Sequence, residues 1–299
     1  MNRTIKDYLI ALLLMLPIIA PAQQILQVVT KKIQKNFPYS VGYEVNVEGE
    51  RAEMYVETWN KNEVRVEMDL IAKHPDIAIA TTELERMKYV TDRVKNKIYI
   101  RNYIDENEGK PSSSMKARYV IYVPADCPVY LKDYFGTVNV SDLANKLRVK
   151  SEFTSIGLRN VKGEMDIKTR FGDLIGEQLD GVMRVEGRRS NITLRDLKGQ
   201  YNIASQYGII EIFANDRLID LDIDAEKSDV FFYNDNAEIY SYQLTARHGR
   251  IQTPQDINFA SLVDDANLQQ LQFKPNREFY PSVTITVSFG DIQIRKAKE

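Results

Sequence analysis

Three aspartates alternate with apolar residues in the segment DLDIDAE, at Asp220, Asp222 and Asp224. Alternate residues of a strand share one face, so the three carboxylates are expected to point the same way. Carboxylate oxygens are the ligands that Ca²⁺ takes in proteins. A strand spaces them about 7 Å apart, however, and a calcium cage needs more ligands than one strand supplies. The pattern therefore favours a solvent-facing strip, with Leu221 and Ile223 turned inward, over a metal site.

Two adjacent arginines, Arg188 and Arg189, lie at an expected turn in the segment EGRRSN. A guanidinium group binds carboxylates and phosphates through parallel hydrogen bonds, so the pair could hold an anionic glycan. A solvated corner of the fold explains the same two residues. Both interpretations stay open at this level.

The sequence marks no catalytic machinery. His74 and His248 are the only histidines, and they lie far apart in the chain. A nucleophile and its base need a third group that orients the base, and no segment indicates one. No phosphate-binding loop, Cys/His metal spacing or zinc-protease motif occurs. We therefore predict no catalytic residue, no cofactor and no metal, and the single Cys127 allows no internal disulfide.

The segments that carry these residues belong to a repeat with a period of about 18 residues. An aromatic column contains Phe135, Phe153, Phe171 and Tyr207, with Arg189 at the missing position. The residue after each is small, and this column reads Gly136, Thr154, Gly172, Ser190 and Gly208. A glycine column is formed by Gly163, Gly181 and Gly199. Glycine tolerates a positive φ, so the last column predicts a turn in every unit.

Apolar and polar residues alternate between these columns, which is the period of strands with one buried face. One such unit cannot bury its apolar face alone, so successive units are expected to stack with equivalent strands in parallel. We therefore predict an all-β fold, a β-solenoid (β-helix-like) with rungs of about 18 residues, over residues 116–299. KSDVFF fits a further rung after a two-residue insertion. The segment Pro254–Pro281 interrupts the pattern and predicts a loop or cap over one end.

Outward positions carry charges of alternating sign at the same spacing. Two such columns are Arg159, Glu177, Arg195 and Arg148, Asp166, Arg184. In a parallel, in-register stack these charges would lie about 4.8 Å apart, where opposite signs stabilise the pairing.

Residues 1–22 predict a secretory signal peptide. Arg3 and Lys6 precede the apolar core YLIALLLMLPIIA, and the small residues of APA precede Gln23. A membrane anchor is the alternative, but the apolar run is shorter than the roughly 20 residues that span a bilayer. The net charge of −2 gives no electrostatic footprint for nucleic acid. We expect an exported chain, in the periplasm or at the cell surface, that is not transmembrane after cleavage.

Residues 23–115 lack the repeat and predict a small N-terminal cap of sheet and helix. Three short strands are expected after residue 40, with turns at Glu48-Gly49 and at Asn60–Asn62. IATTELERM predicts a short helix, and KYVTDRVKNKIYIRNYI predicts a hairpin. The apolar residues before them are spaced like one face of a short amphipathic helix: Leu26, Val29, Ile33 and Phe37.

The chain resembles a family of bacterial exported β-solenoid proteins named putative adhesins, a domain of unknown function. The segments that carry the resemblance include FGTVNV, SIGLRNVKGEMDIKTRFGDLIGEQLDGVMRVEG, SNITLRDLKGQYNIASQYGIIEI and FGDIQI, and it covers most of residues 40–294. The resemblance implies the fold and an exported location, and it supplies no catalytic residues. Arg189 and the segment Pro254–Pro281 depart from the family pattern.

The leading hypothesis is a non-enzymatic exported β-solenoid that presents a binding or scaffolding surface, adhesin-like, to an envelope or surface glycan or protein. One alternative is a polysaccharide-active enzyme built on a β-helix, and another is an envelope accessory or regulatory protein. The enzyme would need two or three charged residues converging on one groove. Only Asp220–Asp224 and Arg188–Arg189 are candidates for that role.

Overall fold

The computed structural model describes residues 25–105, 107 and 109–296, so the predicted signal peptide lies outside the described residues. The described chain is nearly all β, which confirms the all-β class. Its strands join in one sheet of 19 strands. The strands are β1 (Gln27–Pro38), β2 (Glu44–Glu50), β3 (Ala52–Trp59), β4 (Glu63–His74), β5 (Met87–Val94), β6 (Lys97–Ile104), β7 (Ser114–Pro124), β8 (Val129–Ser141), β9 (Leu147–Arg159), β10 (Lys162–Arg170), β11 (Leu174–Arg188), β12 (Ile192–Phe213), β13 (Leu218–Tyr233), β14 (Ser241–Arg247), β15 (Ile251–Gln252), β16 (Ala260–Asp264), β17 (Leu268–Phe273), β18 (Ser282–Ser288) and β19 (Ile292–Arg295). The helices are α1 (Ile77–Leu84) and a 3₁₀ helix (Ala237–Ile239).

Strands β8 to β12 pair in parallel, and each residue lies opposite the equivalent residue of the next repeat. Met165 lies opposite Leu147 on one side and Met183 on the other. All three side chains are buried, as are the other inward residues of these strands. The apolar columns of the sequence are therefore neighbours in space, and each strand covers the apolar side chains of the next.

The spacing changes once, between β12 and β13. Gly208 lies opposite Ser228 rather than Glu226, and a register shift between Gly199 and Gln200 accounts for one of the two extra residues. A bulge of this kind lets one strand carry additional residues while the pairing beyond it is restored. The two-residue insertion predicted before KSDVFF is therefore present.

The C-terminal strands do not follow chain order. Val283 of β18 lies opposite Leu221 of β13 and opposite Tyr242 of β14, so β18 is inserted between them. β19 lies between β13 and β15 in the same way. The segment 241–252 therefore leaves a gap one strand wide, and the end of the chain returns to fill it.

The segment Pro254–Pro281, predicted as a loop or a cap, contains two strands. β16 and β17 form an antiparallel hairpin, and β17 pairs antiparallel with β14, where Leu271 lies opposite Leu244. The hairpin covers the edge of β14 with a strand rich in glutamine. β16 is then the outermost strand, and the hairpin occupies an edge of β14 that could otherwise pair with another chain.

The predicted helix over Leu26–Phe37 is wrong, because these residues form β1. β1 pairs antiparallel with β4 along its whole length. Its partly buried apolar side chains Val29, Ile33 and Phe37 pack on the core. Their spacing of four fits the period of a helix and also twice the period of a strand, so the pattern does not separate the two.

The other N-terminal elements extend the same sheet. β2 pairs in parallel with β8, where Val45 lies opposite Val129, and β3 pairs in parallel with both β7 and β8. The turn predicted at Glu48-Gly49 is wrong, since β2 continues to Glu50 and the chain bends at Arg51. The bend at 60–62, helix α1 and the β5–β6 hairpin form as predicted. The boundary expected at residues 115 and 116 falls inside β7.

Candidate functional site

The aromatic column forms an exposed corner of the sheet. The rings of Phe135, Phe153 and Phe171 stack with centroids 4.9 and 4.8 Å apart and planes within 4°. Arg189 lies between Phe171 and Tyr207, with its guanidinium 5.4 and 5.6 Å from the two ring centroids. A guanidinium is attracted to the face of a ring, which explains how an arginine replaces an aromatic residue here. Neighbours cover both ring faces of Phe153, Phe171 and Tyr207, so these rings offer no flat platform on which a sugar could stack.

The column continues into the C-terminal strands. Lys227 Nζ lies 5.0 Å from the Tyr207 ring centroid, and the rings of Phe289 and His248 stack 4.8 Å apart. The residues of this column have positive φ, from 50° at Lys227 to 64° at Phe135. His248 therefore occupies a repeat position at a turn. The other histidine, far away at the end of β4, accepts a hydrogen bond on Nδ1 from the Asp76 N–H group at 3.0 Å.

The small residues that follow the aromatic column alternate between glycine and a hydroxyl residue in its middle turns. The sequence reads Gly136, Thr154, Gly172, Ser190, Gly208 and Ser228. A Cβ at Gly172 would overlap the backbone carbonyl of Thr154. The Gly172 N–H group donates to Ser190 Oγ at 3.4 Å, and the Gly208 N–H group donates to Ser228 Oγ at 3.1 Å. Two successive turns therefore form one structural unit, which the sequence analysis did not recognise.

The glycine column lies at a second turn. Gly163, Gly181 and Gly199 have φ values of 105°, 139° and 107°. A Cβ at Gly181 would overlap the carbonyl oxygen of Gly163, and one at Gly199 would overlap that of Gly181. These turns require glycine both for the backbone conformation and for the close approach of the neighbouring strand.

An open groove of about 760 Å³ crosses the outer face of β9, β10, β11, β12, β13 and β18. One of its outward columns consists of Lys150, Lys168, Glu186, Ala204 and Asp224. A parallel column consists of Glu152, Arg170, Arg188, Gln206 and Glu226. The residues between the two columns are small. Most lining residues carry polar or charged groups, although the exposed surface of the lining is more apolar than polar because of their aliphatic parts and Phe289.

Neighbouring strands neutralise the charges in the middle of the groove. Lys168 Nζ lies 2.7 Å from Glu186 Oε1, and Arg170 Nη2 lies 3.0 Å from Glu152 Oε2. Within the part of the chain that the structure describes, Lys150, Arg188 and Asp224 form no ion pair. The groove therefore keeps free positive charge towards β9 and β11 and free negative charge on β13.

The three aspartates lie on the outer face of β13, as the alternation predicts. Asn202 Nδ2 donates to Asp222 Oδ2 at 3.3 Å, and Ser282 Oγ donates to Asp220. Burial raises the pKa of Asp222, and the neighbouring carboxylates of Asp220 and Asp224 raise it further. In the described ranges no group of three or more His, Cys, Asp and Glu side chains is arranged to hold a metal ion.

The predicted site residues lie in three places. Arg188 and Asp224 both line the groove, in adjacent columns of the same sheet face. Arg189 lies instead in the stacked corner column, and Asp220 and Asp222 lie on β13 outside the groove lining. Lys150, which sequence reasoning did not select, lines the groove and can be found only once the columns are aligned.

A buried carboxylate was also missed. Asp133 is fully buried where β2 and β3 meet β8, and Thr154 Oγ1 donates to its Oδ2 at 2.9 Å. Its Oδ1 has no hydrogen-bond partner among the described residues. Burial raises the pKa of Asp133 to about 7. The signal in the sequence is an acidic residue at an inward position, two residues after the buried Leu131.

No family model and no curated protein matches this chain. Among solved structures, a putative adhesin from Parabacteroides merdae is 10% identical, with 91% of this chain and 97% of that chain covered and a TM-score of 0.46. A putative lipid binding protein from Parabacteroides distasonis is 10% identical, covering 90% and 97%, with a TM-score of 0.44. A putative adhesin from Bacteroides fragilis is 12% identical, covering 89% and 97%, with a TM-score of 0.40. The likeness to the adhesin family therefore stays a resemblance.

Among the described residues, no helix is long and apolar enough to cross a bilayer.

Proposed function

We propose that this chain is an exported, non-enzymatic β-solenoid protein that binds an extended envelope or surface polymer, in an adhesin-like or scaffolding role. The observation that carries the proposal is the open, charged groove across six neighbouring strands. The parallel register, which advances by one repeat from strand to strand, supports a solenoid over residues 116–299, with residues 23–115 as its cap. The apolar N-terminal segment supports export.

The shape of the groove suits a chain-like ligand. A polymer lying along the groove would contact equivalent side chains about every 4.8 Å, one from each strand. The sheet holds these side chains in fixed register, so little ordering is needed when the ligand binds.

Hydrolysis of a glycan is the second candidate function, and two residues of the groove are the carboxyl groups that it would use. Asp224 and Glu226 alternate along β13 and both line the groove. Glycosidases use two carboxyl groups that flank the scissile bond. Since Asp224 and Glu226 lie side by side on one strand, they would face the same side of a bound chain, which favours binding over hydrolysis.

A single experiment separates these functions. The protein, purified after expression of the full chain, is passed over immobilised envelope polysaccharides, and the length of the polysaccharides is measured before and after incubation. We expect retention of the protein without shortening of the chains. Shortened chains that disappear in Asp224→Asn/Glu226→Gln would establish the enzyme. A protein that no fraction retains would contradict the binding function, and capture of an envelope membrane protein instead would favour the accessory role.

A further inference from the structure

We propose that the groove selects a glycan that carries both acidic groups and free amino groups. This inference rests on the proposed function and specifies its ligand. It depends on the separation of the unneutralised charges along the groove: Lys150 on β9 and Arg188 on β11 are cations, and Asp224 and Glu226 on β13 are carboxylates.

Lys150 provides the first free cation. Its neighbours in the same column are Lys132 and Lys168, so three lysines lie in register. Lys132 is paired with Glu48 at 2.8 Å and Lys168 with Glu186 at 2.7 Å. Lys150 forms no such ion pair within the described residues. Its two lysine neighbours are unfavourable for it, because like charges at adjacent strand positions repel each other. An anion bound at Lys150 would remove this repulsion.

Arg188 provides the second free cation. Its neighbours across the strands are Arg170 and Gln206. Arg170 is held by Glu152, while the exposed guanidinium of Arg188 forms no ion pair within the described residues. A guanidinium with both donor edges free is suited to a carboxylate or phosphate group.

Strand β13, two strands beyond Arg188, carries free negative charge. Asp224 lies between Ala204 and Thr286 across the strands. Glu226 lies between Gln206 and Ser288, and Gln206 Nε2 donates to its carboxylate at 3.0 Å. Neither carboxylate has a cation as its cross-strand neighbour. An ammonium group on the ligand would supply the missing charge.

The distance between the free cation Arg188 and the carboxylates of β13 sets the charge pattern that the ligand needs. Arg188 and Glu226 belong to one column and lie two strands apart, which is about 10 Å. A chain with only acidic groups would be repelled by Asp224 and Glu226. A chain with only amino groups would be repelled by Lys150 and Arg188, so a chain with both kinds of charge fits the groove best.

The lining favours a glycan over other occupants. A second copy of this chain that docked through the same face would bring two concave surfaces together and leave the groove unfilled. The backbone groups under the groove already pair within the sheet, so a peptide could not add itself as a strand. Phe289 is the one large apolar side chain in the lining, whereas peptide anchors usually need apolar pockets. Hydroxyl, carboxylate and amino groups of a glycan match the polar and charged groups among the lining residues.

Three glycan probes test the proposal by calorimetry at low salt and mildly acidic pH. Carboxymethyl chitosan carries both charges, chitosan oligosaccharides carry amino groups, and oligogalacturonate carries carboxylates. We expect carboxymethyl chitosan to bind most tightly. Lys150→Gln/Arg188→Gln and Asp224→Asn/Glu226→Gln should each weaken it by about tenfold or more, since each removes charge-assisted contacts. Asp224→Asn/Glu226→Gln removes the two carboxylates that repel an acidic chain, so this variant should also bind oligogalacturonate more tightly than the parent does.

Lys162→Gln and Glu57→Gln are the matched controls, because both side chains are exposed and lie outside the groove. Equal affinity for oligogalacturonate and carboxymethyl chitosan would overturn the requirement for both charges. Retention on envelope polysaccharides without tighter binding of carboxymethyl chitosan would overturn this inference and leave the proposed function intact. A dimer that forms without glycan and is lost in the double variants would assign the groove to a second copy and overturn it as well.

Discussion

The guanidinium carbon of Arg189 lies 5.4 Å from the centroid of the Phe171 ring, in the position that an aromatic ring occupies in the preceding turns. The corner column therefore continues from Phe171 to Tyr207 through a cation rather than a gap. Arg189 therefore lies in the corner column and outside the groove, and Arg188 is the arginine of the pair that lines the groove.

Replacing Arg189 should show that the stack contributes to stability. Arg189→Phe should leave the free energy of unfolding unchanged or slightly raised, because it restores an aromatic stack. Arg189→Asp should lower it by about 1 kcal/mol, because an anion is repelled by the ring faces on both sides. Thermal unfolding measures both variants, with Lys162→Asp as the exposed control. Equal melting temperatures for the two Arg189 variants would contradict the stacking.

Gly181 should tolerate no side chain. Its φ of 139° and the carbonyl oxygen of Gly163 together leave no room for a Cβ. We expect Gly181→Val to lower the free energy of unfolding by roughly 3 kcal/mol or more. Urea denaturation is the measurement, and the exposed Ile175→Val should change the midpoint little. An unchanged midpoint for Gly181→Val would show that the turn does not have this conformation.

Asp133 should make stability depend on pH. The pKa of Asp133 is about 7 in the folded chain against an ordinary 3.8, so the folded state holds the proton more tightly. Its contribution to stability is fully present below pH 3.8 and is lost as the pH rises through about 7. Asp133→Asn keeps the size of the side chain and removes the charge. Urea midpoints of the two proteins should therefore diverge as the pH rises across this window, with the variant more stable above it. Curves that stay parallel would contradict a buried, protonated Asp133.

The charge columns should respond to salt. Glu177 lies opposite Arg159 and Arg195 in the register of β9, β11 and β12. Glu177→Lys would place three cations in that column and should cost up to about 1 kcal/mol at low salt. Because exposed charges are screened, added salt should restore part of the loss. A loss that salt does not change would have another cause, such as altered backbone pairing.

The sequence predicts the register of the repeat, because the inward apolar residues of one repeat are buried only when they lie beside the equivalent apolar residues of the next. The period of the repeat alone places Met165 opposite Met183, as the structure shows. The same period does not predict the spatial order of the last strands. β18 matches the period equally well beside β13 or beyond β14, and only the structure shows that it lies between them.

The sequence indicated some residues of the groove, Arg188 and Asp224, but not the groove itself. Arg188 and Asp224 were selected as isolated motifs, but their significance depends on which neighbours are neutralised. Lys150 looks ordinary in the sequence and becomes notable only because Lys132 and Lys168 lie beside it. Asp133 shows the opposite case, since an inward acidic residue in a strand is visible in the sequence while its missing hydrogen-bond partner is not.

Retention on envelope polysaccharides, compared between the parent protein, Lys150→Gln/Arg188→Gln and Lys162→Gln, tests the central claim most directly. The claim predicts that the parent and Lys162→Gln are retained, that the double variant elutes early, and that all three unfold at the same temperature. The polysaccharide chains should keep their length throughout. Equal retention of all three proteins, or shortening of the chains by the parent, would contradict a groove that binds without turnover.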